Sequence, residues 1–142
     1  MYLLDTDVVS ELRKSASGKS DKRVVSWANA VSSSDLFISV ITILELEKGI
    51  LSVERRDVSQ GAILRAWINA HVFPAFSGRI LDVDFAVAQR CAALHVPDPC
   101  SERDAIIAAT ALVHSMIVVT RNIADFKMTG VELLNPWDFR GN

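Results

Sequence analysis

The sequence predicts an α/β domain built on a mostly parallel sheet of about five strands flanked by helices. Two observations carry that expectation. Short apolar runs, which suit strands buried on both faces, recur along the chain: Tyr2–Leu4, Leu36–Ser39, Arg79–Asp82, Met116–Val119 and Val131–Leu134. Segments with helical periodicity separate them, and such crossovers produce parallel neighbours. The 142 residues suit one domain spanning 1–142, with no internal repeat, and half of them are hydrophobic, enough for a sizeable core.

The elements follow in order. Val8–Leu12 begins a helix after the first strand, and the small, polar run Ser15–Asp21 reads as a loop. Val24–Val31 is helical and closes at Ser32–Asp35. A long helix follows the second strand, Ile41 to Val53, and another runs from Val58 to Phe73, where Pro74 should end it. Phe85–Leu94 is the next helix, Val96–Pro99 a stiff loop, and Ser101–Val113 the most apolar helix, leading into the most apolar strand. Asn135-Pro136-Trp137 follows the last strand.

Composition narrows the function. Net charge is −2, from 15 basic and 17 acidic residues, which argues against a basic coat for nucleic acid. A nuclease stays open, because a metal ion can supply positive charge locally. Ala105–Val119 is interrupted by Thr110, His114 and Ser115 and is too short for a membrane helix, and the chain opens directly on a strand with no room for a signal peptide; a cytoplasmic protein is expected. Cys91 and Cys100 read as free thiols, with neither a disulfide framework nor zinc-ligand spacing. His71, His95 and His114 lack metal-motif spacing and read as surface or helix-end residues. Trp27 and Trp67 read as core.

The carboxylates carry the chemistry. Asp5 and Asp7 sit where the first strand stops, and in open α/β sheets ligands bind beyond the carboxyl ends of strands. Acids converging there hold a hard cation, although Asp5 would equally suit a helix N-cap. Asp104 resembles the end of a capping box with Ser101, yet shares a helical face with Ile107, Ala108 and Ala111 and should point toward the sheet. Asp125 lies in the loop Thr120–Phe126, on the same sheet edge as Asp5 if the strands are parallel. Spacing does not choose between Glu45, which lines up with Thr42 and Gly49, and Glu47, among Ile43, Ile50 and Leu51.

Four segments in order complete a pattern: Leu3-Leu4-Asp5-Thr6-Asp7 through Leu12; Ile38 through Glu45-Leu46 with Gly49; Arg103-Asp104 through Thr110-Ala111; and Val119-Thr120-Arg121-Asn122 with Asp125-Phe126. Together with Asn135-Pro136-Trp137 they resemble, nearly end to end, the PIN-domain family, in particular the VapC/FitB-like toxins of type II toxin–antitoxin pairs. The resemblance implies a PIN-like α/β fold, a Mg²⁺ or Mn²⁺ site made by Asp5, Glu45, Asp104 and Asp125, and metal-dependent hydrolysis of RNA phosphodiesters. It selects Glu45 over Glu47, because the family's helix acid precedes a leucine and is followed four residues on by glycine. It makes Thr120 the site hydroxyl, with Asn122 in the usual loop and Thr6 and Asp7 in support. Asp7 departs from the family, which more often has asparagine there. Arg13, Lys14 and Arg121 are the nearest cations for the RNA backbone. The implied partners are an antitoxin protein, whose tail would enter the groove, and a second copy of the chain, against apolar surface on the Glu45 and Val58–Phe73 helices.

Three other readings compete. Asp5-Thr6-Asp7-Val8 matches the start of a haloacid-dehalogenase-like phosphatase, with Asp5 as nucleophile, but the later lysine and second acidic motif are missing. A receiver domain fails for want of a lysine after the last strand. A non-catalytic binding module would need every acid to be an unrelated cap.

Overall fold

The computed structural model describes residues 1–141. Five strands, β1 (Tyr2–Leu4), β2 (Leu36–Ser39), β3 (Ile80–Leu81), β4 (Ile117–Val119) and β5 (Leu133–Leu134), form one sheet in the order β3-β2-β1-β4-β5. Every pair is parallel, and the register sets Tyr2 beside Leu36 and Leu4 beside Val119. The first strand is therefore central. Chain crossovers leave it toward opposite edges, which makes its carboxyl end the switch point of the sheet.

The helices are α1 (Thr6–Arg13), α2 (Lys22–Ala30), α3 (Val40–Arg56), α4 (Val58–Trp67), α5 (Phe73–Ala75), α6 (Phe85–Leu94), α7 (Glu102–His114) and α8 (Ile123–Phe126). Side-chain caps start most of them: Asp21, Ser39, Asp57, Asp84 and Ser101 each accept from an amide of the first turn. Pro74 does not end the Val58 helix as the sequence suggests. A π-helical stretch, Ile68–Val72, follows α4, and Pro74 lies within the short α5 that continues directly from it. The outer strands are shorter than their apolar runs, and part of the expected Thr120–Phe126 loop is the short helix α8.

Two apolar layers cover the sheet. One face packs Val8, Val9, Val24, Trp27, Leu46, Ile50, Ile68 and Val72 against Leu4, Ile38 and Val119. The other packs Ile107, Ala108, Ala111 and Phe126 against Leu3 and Val118. Trp27 is core, as expected, whereas Trp67 is only partly buried at its margin. The antiparallel pair α3–α4 closes tightly at Gly61, where a Cβ would lie 2.6 Å from the Glu54 Cα, so only glycine fits. No described helix is long and apolar enough to cross a membrane.

Candidate functional site

The carboxyl end of β1 delivers Asp5 into the first turn of α1, where it is fully buried and is the N-cap. Its two oxygens are held separately. Oδ1 accepts from the Thr6 amide at 2.8 Å, and Oδ2 accepts from the Thr120 hydroxyl at 2.7 Å. The same Thr120 oxygen accepts from the Asn122 amide at 3.0 Å, so β4 and the loop beyond it fix Asp5 from the neighbouring strand. The capping role and the cluster role of Asp5 coexist, because cap geometry occupies only one face of the carboxylate.

Glu45 reaches the same place from α3. Its Oε1 accepts from the Thr6 hydroxyl at 2.5 Å, and Thr6 also lies 3.3 Å from the buried Thr42 hydroxyl. Glu47 faces elsewhere: Arg65 of α4 grips both its oxygens at 2.9 and 2.7 Å and also pairs with Glu54 at 3.4 Å. Asp104 sits in the first turn of α7, on the stripe that buries Ile107, Ala108 and Ala111. Burial pushes its carboxyl up, a shift that Arg103 opposes and the negative charges of Asp5 and Asp125 reinforce. Asp125 lies in the first turn of α8, exposed, and reaches the cluster only through its field.

Sequence reasoning missed Arg103. Its guanidinium ties three of these acids together: Nε donates to Glu45 Oε2 at 2.5 Å, Nη1 to Asp104 Oδ1 at 2.5 Å, and Nη2 to Asp5 Oδ1. An arginine beside an acid at a helix start reads as a solvated charge; only tertiary structure shows three carboxylates from β1, α3 and α7 around it. Burial lowers its pKa, but the pairs with Glu45 and Asp5 outweigh that and hold it above its ordinary value.

Asp7 stands at the rim. One of its oxygens accepts from the Arg121 amide at 3.0 Å, while the other is buried without a hydrogen-bond partner. Burial and the neighbouring Asp5 charge push its carboxyl up to about 6. An open groove of about 300 Å³ runs from Asp7 along Ser10, Glu11, Arg13, Lys14, Arg121 and Trp137. The three cations proposed from sequence thus share one groove. Lys14 pairs with Glu11 at 3.0 Å, Arg121 lies over the Trp137 ring at 5.1 Å, and Arg13 over the Trp67 ring at 5.9 Å.

The donor set of Asp5, Glu45 and Asp104 is all carboxylate oxygen, the chemistry of a hard divalent cation, and a positive group already lies among them. With Arg103 between them the acids are not drawn to ligand spacing. Among the described residues, the single trio of such ligand atoms within 4.8 Å of one another is Cys91, His95 and Glu102.

The PIN domain family model matches residues 2–130. The chain belongs to the PIN domain family. Curated relatives align over nearly the whole chain. VapC ribonuclease Y4jK of Sinorhizobium fredii is 33% identical, over 97% of this chain and 99% of that protein. Toxin FitB of Neisseria gonorrhoeae is 34% identical over 96% of this chain and 99% of its own length. Among solved structures, FitAcB from Neisseria gonorrhoeae superposes with a TM-score of 0.88 at 32% identity, covering 98% of this chain and 100% of that one. FitAB bound to an IR36 DNA fragment gives 0.88 at 31% identity, over 100% of this chain and 99% of that one. Membership in this family sets aside the phosphatase and receiver readings of Asp5-Thr6-Asp7-Val8.

Proposed function

We propose that this PIN domain is a divalent-metal-dependent endoribonuclease and the toxin of a type II toxin–antitoxin pair, with Asp5, Glu45, Asp104 and Asp125 holding Mg²⁺ or Mn²⁺. The observation that carries the reading is the convergence of Asp5, Glu45 and Asp104 on one cationic group at the switch point of the sheet. The near full-length likeness to a VapC ribonuclease supports the reaction, and the likeness to FitB and its complexes supports the role.

A divalent cation bound there would supply an activated water and neutralise charge on the scissile phosphate. The chain's own residues do the positioning. Asp5 is held by the Thr6 amide and the Thr120 hydroxyl, and Glu45 by the Thr6 hydroxyl, so neither must find its place when a cation arrives. Arg103 withdraws from between the acids to admit it, and is then free to meet a phosphate oxygen. Asp125, exposed on α8, closes the open side, and Asn122 braces that loop through Thr120. Arg13, Lys14 and Arg121 guide the RNA backbone along the groove beside Asp7.

Protein partners follow from the same likeness. An antitoxin segment would enter the groove and place a basic side chain among the acids, where Arg103 shows that a guanidinium is welcome. A second copy would cover the exposed Leu44, Leu51, Val58 and Ile63 of α3 and α4. A cytoplasmic location accords with this role.

The test offers purified chain single-stranded RNA and a small phosphomonoester, with Mg²⁺, Mn²⁺ or EDTA, beside Asp5→Asn and Asp104→Asn. Metal-dependent RNA cleavage that both substitutions reduce by roughly 10²-fold or more is expected. Cleavage that survives EDTA or both substitutions overturns the reading.

A further inference from the structure

Cys91, His95 and Glu102 meet outside the acid cluster, although their sequence spacing suggests nothing. Cys91 lies on the last turns of α6 and is buried; His95 caps the C-terminus of that helix; Glu102 opens α7. The loop Val96–Pro99 turns the chain back so that the two helix ends abut. The Cys91 Sγ is 3.7 Å from Glu102 Oε1, and His95 Nε2 is 3.6 Å from Glu102 Oε2. Ligands at about 2.3 Å for sulfur and about 2.0–2.2 Å for nitrogen and oxygen, at tetrahedral angles, stand roughly 3.3–3.6 Å apart. Taking one ligand atom from each residue, all three lie within 4.8 Å of one another, so a closing movement of about an ångström would seat an ion.

A second observation points to a ligand. The His95 Nε2 is buried yet has no hydrogen-bond partner among the described residues. The other ring nitrogen, Nδ1, accepts from the Cys100 amide at 3.2 Å and lies 3.8 Å from the Cys100 sulfur. With Nδ1 accepting, the proton of a neutral ring sits on Nε2 toward Glu102, so Cys100 fixes where the ring lies, and an ion bound at Nε2 would have to displace that proton.

We propose that Cys91, His95 and Glu102 form a binding site for a thiolate-preferring divalent cation of the zinc class, with the fourth position open to water beside the exposed Glu102. The donors fit that class, since a thiol, an imidazole and one carboxylate select a borderline-soft ion and serve Mg²⁺ poorly. In the ion's absence, burial and the Glu102 charge hold the Cys91 thiol above its ordinary value, so it carries its proton. Binding exchanges the Cys91 S–H bond for a sulfur–metal bond and releases that proton to solvent. Glu102 enters ionised and His95 neutral. The His95 proton moves from Nε2 to Nδ1, and the Cys100 amide gives up its hydrogen bond to that nitrogen. Two negative ligands then balance the charge of the ion. The ion bolts the end of α6 to the start of α7, two residues ahead of Asp104.

The experiment titrates the full chain, carrying Asp5→Asn to weaken the acid cluster, with Co²⁺ under a thiol-free reductant. Thiolate-to-cobalt charge-transfer absorption is expected, saturating at one ion per chain and bleached by Zn²⁺. Cys91→Ser abolishes it, and His95→Gln or Glu102→Gln weakens binding roughly tenfold or more. Circular dichroism confirms that each variant is folded; Glu102→Gln, on an exposed side chain, is the variant least exposed to misfolding. No charge-transfer absorption in the parent overturns the site, as does absorption that survives Cys91→Ser or that ignores both His95→Gln and Glu102→Gln. The sulfur signal is blind to carboxylate-bound metal, so this outcome is independent of the nuclease reading.

Discussion

Glu102 and Asp104 are two residues apart on the first turn of α7, yet they belong to opposite kinds of site. Asp104 joins oxygen donors from β1 and α3 that are held apart by an internal cation. Glu102 joins a thiol and an imidazole within 4.8 Å of one another, with no side-chain cation between them. A helix rotates about 100° per residue, so neighbours at i and i+2 face different surroundings. The contrast is instructive: three acids brought close in a partly dry site need a counter-charge, and the chain supplies it from Arg103. A thiol that keeps its proton makes no such demand, so the second cluster can close up unassisted.

The largest effect that probes this contrast is on activity: Asp5→Asn is expected to lower RNA cleavage by roughly 10²-fold or more, whereas Cys91→Ser leaves it within about tenfold, measured as initial rates with saturating Mn²⁺. Equal losses would erase the distinction between the two sites. Arg103→Met should come next. Three carboxylates lose their shared partner, and discounting a typical buried ion pair for partial exposure, the metal-free fold loses about 2–3 kcal/mol in denaturant melts with EDTA. Mn²⁺ should restore most of that loss and bind the variant more tightly than the parent. If Arg103→Met weakens Mn²⁺ binding, the arginine is not a stand-in for the ion.

Asp7→Asn tests the cost of crowding acids without a counter-ion. The folded-state value of about 6 lies above the ordinary 3.8, so Asp7 is protonated in both states at low pH and costs stability as pH rises through 6. The substitution should therefore stabilise the metal-free protein by about 1–2 kcal/mol at pH 8, after allowance for solvent screening, and by almost nothing below about pH 4. Denaturant melts across that range read it directly, and a gain that grows toward low pH would reverse the argument. The smallest effect lies in the neighbouring groove: Arg121→Ala should reduce the dependence of log RNA affinity on log salt by about 0.7, the loss of one phosphate contact to a single strand.

Much of this was legible in the sequence, and the failures have physical causes. The apolar runs give the strands because parallel strands are buried on both faces: Leu3, Val118 and Val119 are wholly inaccessible. Asp5 and Asp104 were legible because one ends such a run and the other interrupts an apolar stripe. Glu45 and Glu47 could not be separated by helical spacing, since both flank the buried line of Thr42, Leu46 and Ile50. What separates them is Arg65, eighteen residues away on another helix, which claims Glu47. Arg103 and the Cys91–His95–Glu102 corner were invisible for a related reason. Periodicity reports which face a side chain takes, and says nothing of which distant residues share that face.

The placement of β1 at the centre of the sheet has a consequence for biosynthesis. Asp5 is synthesised 115 residues ahead of Thr120, whose hydroxyl holds it, and its guanidinium partner Arg103 comes from α7. At ordinary translation speeds that interval is on the order of ten seconds. Throughout it the nascent chain carries Asp5 without the hydroxyl that fixes its carboxylate, so the acid cluster is braced only after β4 has been made.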